Sequence, residues 1–323
     1  MGLLTNLYSA SKDYYVALKS YRRQLVTNHD RAVRFYNWWE EPYEQLWFYR
    51  YAMHNGMLSE DKVVNFISVY GKRKVADYIS EGPIIFYTGE NVHFEQHIQY
   101  ADNLLSNRRI QLSLGFDYLA HPNYLRFPLW IPYLFDPTLD EKGIRKRCDE
   151  LRYSKIGTRS KFAAMVARYD WGGTRSQIFD ALSHIDTISC PSVVHHNDED
   201  LQMIFRDDKK EYLKQFYFNI CPENSNSYGY VTEKIFEAIA SGCIPIYWGS
   251  HNIPEPDILN QDALIKWNMN GDNTDNIRLI EELYAHPDRL REFMCQPRLK
   301  PEAEEIICGM VDQLNQRLKK LVG

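Results

Sequence analysis

From Phe216 to Ser250 the chain reads FYFNICPENSNSYGYVTEKIFEAIASGCIPIYWGS. This is a strand, a polar loop, a helix and a second strand in immediate succession. Phe216 to Cys221 is a short apolar and aromatic run, as a buried strand requires, and Glu223-Asn224-Ser225 breaks it with turn-forming residues. Thr232 is placed to cap a helix beginning near Glu233. Ile235, Phe236, Ile239 and Ala240 give that helix one apolar face, and Gly242 stands where a C′ glycine ends it. Ile244 to Trp248 then resumes the sheet. A strand–helix–strand unit builds a parallel sheet, and it aims the helix N-terminus at the crevice beyond the strand's carboxyl end. Lys234 sits in that first turn, where the macrodipole disfavours a cation by up to about 1 kcal/mol. Two readings follow. The lysine is either solvated and paired with Glu233 or Glu237, or it faces a bound anion that the helix N-terminus also attracts.

The segments FNIC, ENS, YGYVTEK and IPIYWGS, ungapped and in this order, resemble the donor-binding signature of glycosyltransferase family 10, the α-1,3-fucosyltransferases, and are most similar to its bacterial members. The resemblance implies an α/β fold of GT-B type. Two Rossmann-like domains would face a central cleft, the first holding the acceptor and the second GDP-β-L-fucose, and a C-terminal helix would return to the first domain.

The pattern of the chain agrees with two α/β halves. Residues 1 to about 28 form an amphipathic helix through Leu4, Leu7, Tyr8, Tyr14, Tyr15, Leu18 and Tyr21. Strands are expected at Arg31–Trp39, Asp61–Gly71, Pro83–Thr88, Leu112–Phe116 and Leu125–Pro128, with helical spacing from Leu46 to Met53. The charge-rich segment Asp140–Arg159 carries the chain into the second half. That half opens with a strand at Ser160–Ala167 and a helix through Ile178, Leu182 and Ile185. A helix broken at His286-Pro287 and an amphipathic tail from Ala303 to Val322 complete it. The expected domains are 1–152, 153–300 and a C-terminal helix over 301–323.

Fucosyl transfer needs a base for the acceptor hydroxyl and cations for the departing diphosphate. Glu90 follows the strand ending in FYTGEN, and TGEN resembles the family segment that bears a catalytic glutamate; His93 and Glu95 are its rivals. The resemblance gives Arg175 and Lys234 the diphosphate and Glu233 the fucose. Asn224 and Ser225 would contact phosphate or sugar, and Tyr230 would pack on the donor. Inversion, with no covalent intermediate, is implied. The acceptor implied is a glycan of N-acetyllactosamine type, fucosylated on the 3-hydroxyl of N-acetylglucosamine as in Lewis-type antigens and lipopolysaccharide. Another donor such as GDP-mannose, or a non-catalytic nucleotide-sugar or glycan-binding protein, are the alternatives.

Asp198-Glu199-Asp200 matches the DxD pattern that holds a metal in other glycosyltransferases, but no apolar strand precedes it, and the resemblance implies metal-independent binding. No cofactor is expected. The aromatic run Phe35–Tyr51 is suited to the acceptor side, with Trp38 or Trp39 stacking on a sugar. A net charge of −5 argues against a nucleic-acid partner. The six cysteines form no CxxC pair, which favours a reducing, cytoplasmic setting. No apolar run is long enough to span a membrane, and no signal-peptide core opens the chain. The reading is a bacterial enzyme in the cytoplasm. Arg317, Lys319 and Lys320 could rest on the inner membrane surface, although a solvated helix end explains them better.

Overall fold

The computed structural model describes residues 2–39, 41–57, 62–153 and 157–322, with backbone alone for residues 2–11. The side chains of Leu4, Leu7 and Tyr8, as well as Asp61 at the start of the expected second strand, lie outside the described residues. The chain forms two compact units: Met1–Leu139 with Gly309–Gly323, and Asp140–Cys308.

The first unit is built on a parallel sheet of five strands in sequence order, β1 (Val33–Tyr36), β2 (Val64–Ile67), β3 (Ile84–Tyr87), β4 (Ile110–Gly115) and β5 (Tyr124–Arg126). Val33 pairs with Val64 and Phe66 with Ile85, so the three continuous apolar runs lie side by side. All four residues of each of the first three strands are buried. Both faces are therefore covered, which is why these strands read as unbroken apolar segments and not as an alternation. The one charge among them, Arg34, reaches out of the layer to the Glu81 carboxylate at 2.8 Å.

The N-terminal helix Gly2–Asn28 packs differently from its expected apolar face. Tyr14 and Tyr15 are exposed, and the inward side runs through Ala17, Tyr21, Gln24 and Asn28. Two amides fasten it to the sheet. The Asn28 side chain bonds Phe35 both ways, at 2.9 and 3.0 Å, and Gln24 accepts from the Asn37 N–H at 2.6 Å. The C-terminal helix Ala303–Val322 joins this unit from Gly309 onward. There it buries Leu314 and Leu318, and Arg317 donates to the Pro122 carbonyl at 2.7 Å.

The second unit holds β6 (Lys161–Ala164), β7 (Ile188–Ser189), β8 (Phe216–Ile220), β9 (Ile244–Tyr247) and β10 (Ile265–Lys266), in the parallel order β10-β9-β8-β6-β7. The chain leaves β6 for β7 on one side and returns to β8 on the other. β6 and β8 thus flank a topological switch point, the place where open α/β sheets form a crevice at their carboxyl ends. Phe162, Phe218, Ile244, Ile246 and Trp267 pack there with Ile178, Leu182 and Ile280 from the covering helices. The two-residue strands β7 and β10 were too short to show in the sequence. The helix Glu141–Arg152, capped by Asp140 onto the Gly143 N–H at 2.8 Å, buries Ile144, Cys148 and Leu151. It belongs to this unit, so the units divide at 139/140 and 308/309 rather than at 152/153 and 300/301.

Candidate active site

The switch point gathers the charged residues of the signature. The helix Thr174–Leu182 follows β6, and its start is fixed by Asp170, whose carboxylate accepts the N–H groups of Arg175 and Ser176 at 2.9 Å each. This directs the Arg175 side chain inward, where only 6% of the residue is exposed. Its guanidinium donates to the carbonyls of Tyr169 at 2.9 Å and Pro222 at 3.0 Å, and to the Asn224 amide oxygen at 3.0 Å. It makes no side-chain ion pair with Asp170 or Asp180. Burial depresses its pKa, with Asp170 and Glu223 working in the opposite direction.

On the other side of the switch, β8 ends in the loop carrying Glu223. This glutamate is 1% exposed and fully engaged. Its carboxylate accepts the Thr232 N–H at 2.8 Å, the Thr232 hydroxyl at 2.7 Å and the Lys234 ammonium at 3.2 Å. Lys234 also donates to the Thr232 hydroxyl at 2.9 Å and lies 3.6 Å from Glu233. Burial opposes the charge on Lys234, but Glu223 and Glu233 outweigh it and hold its pKa above the ordinary lysine value. Burial likewise opposes the Glu233 carboxylate, and Lys234 and Lys209 more than compensate, so its pKa is lowered.

Two expectations change here. Thr232 precedes the helix Glu233–Ala240, but its hydroxyl makes no cap; it is spent on Glu223 and Lys234. Lys234 is neither a solvated surface lysine nor a partner of Glu237, which binds Lys209 at 2.5 Å. Glu223, read in the sequence only as part of a turn, is the residue that organises the cluster. Gly249 makes room for it: a Cβ there would meet the Glu223 Cγ at 2.7 Å, and φ is +145°. A small crevice at this end of the sheet is lined by Arg175, Lys209, Asn219, Cys221, Pro222 and Lys234. Asn224 is exposed at its edge, whereas Ser225 and Tyr230 are buried in the loop behind it.

The DxD segment does not converge on a metal position. Asp198 accepts the Asp200 N–H at 2.7 Å and the Tyr212 hydroxyl at 2.8 Å, and Asp200 pairs with Lys161 at 3.0 Å. A strand, the short β7, does precede this segment, contrary to expectation. His195 stacks on Phe179 and bonds Ser176. Among the described residues no group of three His, Cys, Asp or Glu side chains could hold a metal ion.

The first unit contains a cavity of about 710 Å³ beyond the carboxyl ends of its strands. Trp38 and Trp39 after β1, Tyr70 after β2 and Glu90 after β3 line it, with Arg50 and Asp136 paired at 2.7 Å. Thr88 sets the turn that delivers Glu90, its hydroxyl accepting the Glu90 N–H at 3.1 Å and donating to the Glu90 carbonyl at 2.8 Å. The Tyr70 hydroxyl donates to the Glu90 carboxylate at 2.8 Å. Burial, then the Glu90 charge, raises the Tyr70 pKa, which keeps the phenol protonated as a donor. The rivals do not reach this cavity. His93 is held by Asp117 at 2.8 Å, and Glu95 is exposed in a 3-10 turn. Tyr70 was not singled out from sequence, because its proximity to Glu90 arises only when β2 and β3 pair.

Comparison with known proteins agrees with this geometry. Residues 33–133 match the family described as the α-(1,3)-fucosyltransferase FucT N-terminal domain, and residues 157–317 match the C-terminal region of glycosyltransferase family 10 (fucosyltransferase). The α-(1,3)-fucosyltransferase FucT of Helicobacter pylori is 30% identical over 196 residues, which is 56% of this chain and 40% of that protein. A fucosyltransferase-like protein of Arabidopsis thaliana is 44% identical over 48 residues, 15% of this chain and 9% of its own length. The chain thus spans well under half the length of these curated relatives. A crystal structure of an α1,3-fucosyltransferase superposes with a TM-score of 0.58 at 22% identity, covering 88% of this chain and 89% of that one. An α1,3-fucosyltransferase with GDP-fucose gives 0.54 at 21% identity over 88% and 90%. At such identities the likeness concerns the fold, which is α/β of the GT-B type. With both units matched to the two halves of one family, the chain belongs to glycosyltransferase family 10, the fucosyltransferases.

Proposed function

We propose that this chain transfers L-fucose from GDP-β-L-fucose to the 3-hydroxyl of an N-acetylglucosamine in a glycan of N-acetyllactosamine type, with inversion. The observation that carries this reading is the meeting of Arg175, Asn224 and Lys234 at the carboxyl ends of β6 and β8. Two cations and an amide beside a helix N-terminus suit a diphosphate. Glu233, kept ionised by Lys234 and Lys209, suits fucose hydroxyls and the positive charge that develops at the anomeric carbon. Ser225 and Tyr230, buried behind the loop, support it and are not assigned a direct contact. The crystallisation of α1,3-fucosyltransferases of this fold with GDP-fucose and with GDP favours the same donor here.

Glu90 takes the proton of the acceptor hydroxyl as the oxygen attacks the anomeric carbon. The bond from that carbon to the diphosphate oxygen breaks in the same step, and GDP leaves with the electron pair. Tyr70 holds one carboxylate oxygen of Glu90 and so orients the base. The aromatic walls of the cavity suit sugar faces. No step requires a metal, and activity is expected to be indifferent to EDTA.

GDP release from GDP-fucose, measured against type 1 and type 2 disaccharides with and without EDTA, tests donor, linkage and metal use together. Turnover of GDP-mannose with no release from GDP-fucose would overturn the donor assignment. Glu90→Gln is expected to lower kcat by about 10²- to 10⁴-fold with little change in donor binding. A non-catalytic binding protein would have no turnover for that substitution to remove. Action at a cytoplasmic membrane face remains part of this proposal; among the described residues no helix is long and apolar enough to cross a membrane.

A further inference from the structure

We propose that the N-terminal helix builds a second acceptor subsite, one that takes an anionic group on the acceptor beyond the sugar that reacts. The inference rests on the cavity around Glu90 being the acceptor site. A second cavity, of about 350 Å³, shares Trp38, Trp39, Glu41 and Tyr70 with the first. The two tryptophans, with ring centroids 4.6 Å apart, stand at the boundary and offer aromatic surface to both. The N-terminal helix supplies the far wall of the second cavity, including Arg23 and Gln24, and Arg31 follows just after it. All three residues precede the matched family segment, which begins at residue 33.

The two cavities differ in the sign of their charge. Around the first stand Glu41, Glu90 and Asp136 against Arg50, which Asp136 already holds. Around the second, among the described residues, stand Arg23 and Arg31 against the shared Glu41. The amides of the second cavity are already used: Gln24 bonds Ser20 and Asn37, and Asn28 bonds the backbone of Phe35. The guanidinium groups are what it offers a ligand. Arg31 lies 3.7 Å over the Tyr43 ring, which holds its plane in place, and Arg23 has no ion-pair partner among the described residues. Two planar cations suit a carboxylate, sulfate or phosphate. A glycan reaching through both cavities would therefore place a neutral sugar beside Glu90 and its anionic group beside the arginines. An anion at the first position would meet three carboxylates.

The test is calorimetric binding of acceptors to the whole chain without donor. The probes are an N-acetyllactosamine disaccharide, the same disaccharide extended by a neutral sugar, one extended by a carboxylate-bearing sugar, and one bearing a phosphate at the reducing end. Either anionic acceptor is expected to bind about fivefold more tightly than the neutral extension, the size of effect two half-exposed charge contacts give. The margin should close near about 0.5 M salt, where the screening length is only a few ångströms. It should also close in Arg23→Gln/Arg31→Gln, and narrow in Arg23→Gln alone, a change at an exposed position. Which anion is preferred distinguishes an acidic sugar from a phosphate-linked carrier. Equal affinity for neutral and anionic extensions, or a preference that survives in the double variant, would overturn the proposal. GDP-fucose turnover on the neutral disaccharide, followed in parallel, reports on the enzyme assignment separately.

Discussion

Glu223 holds the hydroxyl and N–H of Thr232 and the ammonium of Lys234 while almost wholly buried. Removing its charge leaves Lys234 with Glu233 as its one carboxylate partner among the described residues. Glu223→Gln is therefore expected to destabilise the protein by about 3 kcal/mol, as breaking a buried pair does, and to raise the KM for donor. An unchanged urea midpoint together with an unchanged KM would show that the carboxylate is dispensable. Nothing near Glu223 in the sequence signals its role, because its burial depends on Tyr247 of the neighbouring strand and on Gly249 just beyond that strand. Glu90, Arg175 and Lys234 could be singled out beforehand because the segments that carry them resemble those of the family, and their roles belong to the proposal above. A titration prediction also belongs at this scale. The hydrogen bond that the His93 ring donates to the Asp117 carboxylate, opposed by burial, raises the pKa of His93. A raised folded-state pKa means that the His93–Asp117 contribution is complete below the unfolded value, near pH 6.5, and fades as pH rises through the folded one. NMR titration should place the His93 midpoint above that of an unfolded-state histidine, and Asp117→Asn should lower it. A midpoint at or below the unfolded value would contradict this.

The helix Glu233–Ala240 illustrates how a short element is terminated with backbone chemistry. Gly242 adopts φ of +75°, the Cys243 N–H reaches the Ala238 carbonyl at 2.9 Å, and the Gly242 N–H reaches the Ile239 carbonyl at 2.8 Å. This is the double closure of a Schellman motif, and the apolar face ending in Ile239 made it readable beforehand. Gly242→Ala should cost about 1 kcal/mol in chemical denaturation through the left-handed backbone alone; a neutral result would mean that the turn relaxes. The start of the same helix was less legible, since Thr232 has the residue type of a cap but is claimed by Glu223. The N-terminal helix shows the other limit of periodicity. Its tyrosines suggested an apolar face, whereas amides at Gln24 and Asn28 fix it to the sheet. Long strands were visible as apolar runs; the two-residue β7 and β10 exist only because stronger neighbours pair with them.

Across the whole chain, two parallel sheets of five strands divide the chemistry, with the aromatic cavity and Glu90 in one unit and the cationic crevice in the other. The alternation of strands and helices disclosed that division, but not where the units part, because the burial of Ile144, Cys148 and Leu151 is a tertiary fact. The C-terminal helix is the sharpest case. It begins among the residues of the second unit, and its part from Gly309 belongs to the first. Leu314→Ala, at a fully buried position, should cost about 2–5 kcal/mol, and a loss under about 1 kcal/mol would show that this docking contributes little. The same topology dictates an order of events during synthesis. The second unit is continuous, from Asp140 to Cys308, so every residue it needs has been made before the first unit receives its last helix. The strands of the first sheet must wait, incomplete, for a helix segment translated after the whole of the second unit. Ribosome-stalled chains of increasing length should therefore gain protease resistance over 140–308 before the N-terminal sheet does, inverting the usual N-to-C order of domain folding.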